Sequence, residues 1–138
     1  MFWLFKTFSY LLNALPNRVV LWMGDLLGGV WYYLIPLRRS TVIANLTLAY
    51  GDSKSAQEID ALARRNLRHL GRVMLEAARS FVWTRQDFRT KMGFSGFEHI
   101  EPYLKEKRGG FLVSFHLGCW ELSPGAGVGQ GVPVDVVT

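Results

Sequence analysis

The chain has 138 residues, enough for one domain or a piece of one. Apolar residues make up 49% and aromatic ones 14%, and the net charge is +5, which favours a large apolar core or lipid contact and acidic rather than basic partners. The single cysteine, Cys119, excludes an internal disulfide framework, and the basic residues carry no nucleic-acid-binding motif.

Residues 2–14 are apolar and predicted to be helical, with Lys6 as the charge in that stretch. No small-residue cleavage site follows, so the start does not read as a cleavable signal peptide. Leu15-Pro16-Asn17-Arg18 predicts a turn, and a second helix is expected from about Val19 to Leu34, ended by Pro36. Val19 to Leu37 is near the roughly 20 residues that a bilayer crossing takes. It also contains Gly24, Asp25, Gly28, Gly29 and Pro36, and an Asp at the centre of a span costs about 2.5–3.5 kcal/mol on insertion scales. Two readings stand side by side: a membrane-embedded or interfacial segment, and a buried helix of a soluble domain. Arg38 and Arg39 follow at once, well placed for anionic headgroups.

Val42, Leu46, Ala49 and Tyr50 give residues 41–50 a helical spacing, and Gly51-Asp52-Ser53 breaks it. Ser55-Ala56-Gln57-Glu58 is a capping-box pattern. The helix it opens is expected to reach about Trp83, with Ile59, Leu62, Leu67, Leu70, Val73 or Met74, Ala77 and Phe81 as its apolar stripe. Arg64, Arg65, Arg68, Arg72 and Arg79 lie off that stripe. They read either as a solvated face or as a docking face for an acidic carrier protein or lipid phosphates, with Arg64, Arg68 and Arg72 as the candidates. His69, inside this helix, and His99, further on, are read as structural.

Phe94 to Phe97 is expected to be a short strand, and Glu101 to Lys107 a helical turn introduced by Pro102. Phe111 to Phe115, an apolar run after Gly109-Gly110, is expected to be a buried strand. A helix after His116 and a strand at 133–138 would complete a strand–helix–strand unit. The fold class expected is therefore α/β: apolar helices, then the first part of a mixed sheet. The last run stops without turn residues, so the domain is expected to be incomplete.

The candidate chemistry lies in Phe111-Leu112-Val113-Ser114-Phe115-His116-Leu117-Gly118-Cys119-Trp120-Glu121. Ends of strands are where α/β sheets place reactive groups. Five residues on one α-helix turn through about 500°, so His116 and Glu121 would not share a face. They meet only if His116 precedes the helix and Glu121 lies in its early turns, where free N–H groups also favour a developing anion. In that setting His116 takes a proton from an acceptor hydroxyl, and Glu121 fixes the imidazole tautomer and stabilises the imidazolium. The bland alternative is a satisfied histidine at a helix start, with Glu121 favouring the helix dipole. Cys119 as a nucleophile, and a zinc site from His116, Cys119 and Glu121, are weaker readings, because a lone Cys is usually a small buried hydrophobe and the ligand spacing is unusual.

The string from Gly110 to Glu121 resembles the H-x-x-x-x-[DE] block of the bacterial lipid A biosynthesis acyltransferases, the late lauroyl/myristoyl-type enzymes of the lysophospholipid acyltransferase superfamily. Leu15-Pro16-Asn17-Arg18, Arg39 to Asn45-Leu46, and Gly96-Phe97-Glu98-His99-Ile100 resemble further family landmarks, in family order. The resemblance implies an enzyme at the cytoplasmic face of a bacterial inner membrane, with a membrane-associated helical segment over 1–37 and the first part of an acyltransferase domain over 38–138. It would move a fatty acyl group from acyl carrier protein, or acyl-CoA, to a hydroxyl of a glycolipid such as a lipid A precursor, with no further cofactor or metal. His116 matches the family's base and Glu121 its partner acid; Gly118 and Trp120 would border the substrate.

Three departures stand out. Cys119 replaces a frequent Asn, and family members are about twice as long, so this chain alone is expected to be inactive. Ser123-Pro124-Gly125-Ala126-Gly127-Val128-Gly129 replaces an Ala/Leu-rich helix, so the helix after Glu121 is expected to be short or kinked. The competing class is a non-enzymatic membrane-bound interaction module or an inactive relative.

Overall fold

The structure, a computed structural model, describes residues 2–93, 95–115 and 117–135. The helices are α1 (Phe2–Ala14), α2 (Asn17–Leu34), α3 (Pro36–Tyr50), α4 (Ala56–Ser80), α5 (Arg85–Lys91), α6 (Phe97–Lys105) and α7 (Ser123–Gln130), with a 3-10 turn over Trp120–Leu122. They fall into two compact units, residues 1–79 and 80–138.

In the first unit, α2 and α4 cross at glycines. A Cβ on Gly28 would lie 2.2 Å from the Leu67 carbonyl oxygen, and one on Gly71 would lie 2.2 Å from the Gly24 carbonyl oxygen. Only hydrogen at these positions lets the two backbones approach so closely. Gly24 meets Arg72 and Gly28 meets Arg68, so the helices run antiparallel. Apolar clusters flank the crossing: Leu12, Val20 and Leu75 on one side, with Met23 and Ala78, and Tyr32, Ala63 and Leu67 on the other, with Val42, Ile43, Leu46 and Leu70.

The ends of the helices follow local chemistry. Ile35 is extended, as a residue before proline prefers, and Pro36 opens α3 at the first turn, where no N–H is needed. Helix α3 therefore begins ahead of the expected residue 41. The capping box at α4 forms: Ser55 N–H donates to Glu58 (2.8 Å), and Glu58 N–H to the Ser55 hydroxyl (3.3 Å). At the other end of α4 the Arg79 carbonyl accepts from the Ser9 hydroxyl and the Asn13 amide, both at 2.9 Å, which ties α1 to α4.

In the second unit α5 opens with a capping box between Thr84 and Asp87. It packs on α7, where a Cβ at Gly125 would lie 2.1 Å from the Phe88 ring. Phe88 in turn meets Trp83 edge-on at 5.2 Å. Helix α7 forms in spite of its composition, because Pro124 sits in the first turn and the glycines allow contact with Phe88. It is short, as its proline and glycines lead one to expect. It ends in a Schellman cap: Gly131 takes φ 89°, Val132 N–H bonds the Gly127 carbonyl (3.0 Å) and Gly131 N–H that of Val128 (3.0 Å).

The expected α/β fold does not form: among the described residues there is no strand. Residues 111–115 are without regular structure and exposed, Phe111 completely. An apolar run becomes a strand only beside another strand, and among the described residues neither expected neighbour forms one. Of residues 94–97, Phe94 lies outside the described residues and Phe97 begins α6. Of residues 133–138, those at 133–135 form no ladder and those at 136–138 lie outside the described residues. Among the described residues the strand–helix–strand unit is thus replaced by helices α5 to α7, with no strand between them.

Candidate active site

His116, the expected base, lies outside the described residues. Its partner Glu121 is exposed and sits in the 3-10 turn that leads directly into α7. This matches the geometry required of the acid, in the turns that open the helix. Gly118 has φ 62°, a left-handed conformation suited to glycine, so the chain bends sharply between Leu117 and Cys119. Cys119 and Trp120 are half-buried, and Leu122 is buried at the start of α7. The turn is closed by the Leu122 N–H donating to the Cys119 carbonyl (3.1 Å). Glu121 is thereby carried outward on a turn whose neighbours are held inward. Among the described residues no three His, Cys, Asp or Glu side chains converge as a metal site would require.

The three candidate arginines of α4 have different surroundings. Arg72 forms a two-pronged ion pair with Asp25 of α2, Nε to Oδ1 at 2.7 Å, which holds the Asp25 carboxyl below its ordinary range. Arg64 pairs with Asp60 at 3.0 Å. Asp60 is the centre of a second cluster: it accepts from the hydroxyl of buried Tyr32 and lies 3.5 Å from Arg39, whose guanidinium stacks 4.4 Å from the Tyr32 ring. The Tyr32 hydrogen bond, then Arg64 and Arg39, hold the Asp60 carboxyl low, while burial and the Asp60 contact push the Tyr32 phenol up. Arg68 has no ion pair with a described residue and lines an open groove along α2. His69 and His99 are both exposed on their helices.

The sequence reading did not bring Tyr32, Asp60 and Arg39 together. They lie on three helices, and no local pattern signals their meeting. The close crossing had a signal in the Gly24 and Gly28 spacing, one helical turn apart.

The N-terminal helices present a large apolar surface: Trp3 is 74% exposed, Trp22 64% and Leu34 72%. Among the described residues no single helix is long and apolar enough to cross a bilayer; α2 and residues 38–50 reach that measure only as a pair bent by 92°.

The family described as bacterial lipid A biosynthesis acyltransferase matches residues 1–128. The lipid A biosynthesis palmitoleoyltransferase of Escherichia coli (strain K12) is 25% identical over 108 residues, covering 78% of this chain and 35% of that protein. The lipid A biosynthesis acyltransferase of Shigella flexneri is similar to the same degree, 25% over 108 residues, with the same coverage. The chain thus spans about a third of the length of these curated relatives. No solved structure matches it.

Proposed function

The chain belongs to the bacterial lipid A biosynthesis acyltransferase family, and on that footing we propose that it serves acyl transfer to a lipid A precursor at the cytoplasmic face of the inner membrane. The observation that carries the reading is the string from His116 to Glu121 in a chain of this family, with Glu121 in the turn that opens α7. The donor is an acyl thioester on acyl carrier protein or coenzyme A, and the acceptor a glycolipid hydroxyl.

In the proposed reaction neutral His116 removes the proton of the acceptor hydroxyl as its oxygen attacks the thioester carbonyl carbon. Glu121 orients the imidazole and stabilises its charged form. Collapse of the tetrahedral adduct breaks the carbon–sulfur bond, and the leaving thiolate takes the proton back from His116. The products are an ester and the free carrier thiol, and no redox partner is needed. Gly118 leaves the backbone bare beside the reacting groups, and Trp120 borders the acyl donor. The exposed apolar residues of α1 and α2 keep the protein on the bilayer, where a lipid acceptor resides.

The test is an acyl-transfer assay on membranes carrying the full-length protein, with labelled acyl carrier protein and a lipid A precursor. His116→Ala is expected to lower the rate by about 10²–10⁴-fold, the usual contribution of a positioned base. Glu121→Ala is expected to lower it as well, and Cys119→Ala to leave it in place. Transfer that survives both the His116 and the Glu121 replacement would sink the mechanism.

A further inference from the structure

The open groove along α2 combines features that none of the preceding chemistry uses. Its walls are Trp22, Leu26, Val30, Tyr33 and Leu34, apolar and more than two-fifths exposed, and its volume is about 650 Å³. That is within the usual range of small-molecule sites, roughly 300–1,000 Å³. Gly29 lies in this groove and faces open space: a Cβ added there meets nothing within 4 Å, in contrast to Gly28 beside it, which is packed against α4.

The charged groups of the groove are Asp25 and Arg68. The Asp25 charge is matched by Arg72, whose guanidinium holds both carboxylate oxygens. Arg68 is close enough to lower the Asp25 titration further, yet it is exposed and has no ion pair with a described residue. Two arginines against one carboxylate leave one positive charge beside an apolar trough. A ligand that complements this carries one negative charge joined to a long apolar chain.

We propose that the groove seats one anionic phospholipid of the bilayer, its phosphate on Arg68 and an acyl chain along the apolar walls. The inference rests on the membrane reading above for the source of the ligand, but not on acyl transfer. A guanidinium recognises a phosphate through charge-assisted hydrogen bonds, and α2 supplies the surface for the chain.

The experiment measures lipid adducts on the full chain by native mass spectrometry in detergent, with phosphatidylglycerol and phosphatidylcholine at equal concentration. The expected result is one bound phosphatidylglycerol, preferred over phosphatidylcholine by about tenfold, because the choline ammonium offsets the phosphate charge that Arg68 meets and leaves that lipid net neutral. Arg68→Gln should abolish the preference. Gly29→Leu should abolish the adduct, because its side chain fills the trough without meeting other atoms. Gly29→Leu also makes the surface more apolar, so simple partition onto an apolar face would leave the adduct in place or strengthen it. An adduct retained in Gly29→Leu, or a wild-type protein without headgroup preference, would overturn the proposal. Flotation on mixed vesicles of the two lipids separates the readings: a chain that floats but shows no single adduct loses the groove alone, and one that keeps the adduct but does not float loses the membrane reading alone.

Discussion

At the scale of single residues, the carboxylates Asp25 and Asp60 of the first unit are matched by neighbouring arginines. Asp60 illustrates the consequence. Its carboxyl is held low by the Tyr32 hydroxyl, Arg64 and Arg39, whereas an unfolded Asp titrates near ~3.9. A depressed carboxylate stabilises the fold above its unfolded value, and that contribution fades as pH falls through the folded value. Urea midpoints should therefore drop between about pH 5 and pH 2, and Asp60→Asn should flatten part of that drop. The remaining slope belongs to Asp25, Glu58 and Asp87, which are lowered too. Tyr32→Phe removes the first of the Asp60 contacts, so carbon NMR of the Asp60 carboxyl should show it titrating closer to the ordinary range. The Glu58 capping box was legible because it is written in adjacent residues. Tyr32 with Asp60 was not, because the two meet only after α2 and α4 have packed. The candidate pair is weak as spacing alone and rests on its context and on the family resemblance; Glu121 lies in the turn that opens α7, while His116 lies outside the described residues.

At the scale of elements, neighbouring glycines in α2 have opposite roles. Gly28→Ala places a methyl 2.2 Å from a backbone oxygen, so α2 and α4 must separate. Overpacking of this kind costs roughly 1–3 kcal/mol. Gly29→Ala meets nothing and should stabilise the helix by up to about 1 kcal/mol. Thermal melts of the two variants should therefore move in opposite directions. In the second unit, Gly125→Ala should destabilise through the Phe88 ring, and Phe88→Ala should relieve that effect. The double-mutant cycle between them should show a coupling of about 0.5–3 kcal/mol, and a value near zero would mean that α5 and α7 do not pack through this pair. The same glycines explain where sequence reasoning succeeded and failed. Counted one by one, the proline and glycines of α7 are unfavourable to a helix, yet Pro124 sits in its first turn and the contact with Phe88 requires Gly125. Phe111 to Phe115 was misread for the converse reason: an apolar alternation-free run reports that burial is wanted, but not that a pairing partner is present. The Thr84 box escaped notice because its third helical position carries Asp rather than the more usual Glu or Gln.

At the scale of the whole molecule, a net charge of +5 and the exposed aromatic residues of α1 and α2 define how the chain should meet a bilayer. Flotation on vesicles containing phosphatidylglycerol should exceed that on neutral vesicles. The difference should shrink as salt shortens the Debye length from about 10 Å at 0.1 M to 3 Å at 1 M, while the apolar contribution persists. Trp3→Glu should weaken binding at both salt levels. The Asp25–Arg72 pair then acquires a role that neither residue has alone. Moving α2 deeper among the acyl tails would take Asp25 out of water or strip it from its arginine, and an acidic group at mid-bilayer costs about 2.5–3.5 kcal/mol. On the proposed bilayer surface the ion pair would mark a waterline: apolar side chains on one side of it would sink, while the charges that α4 brings to the crossing would hold α2 from going deeper.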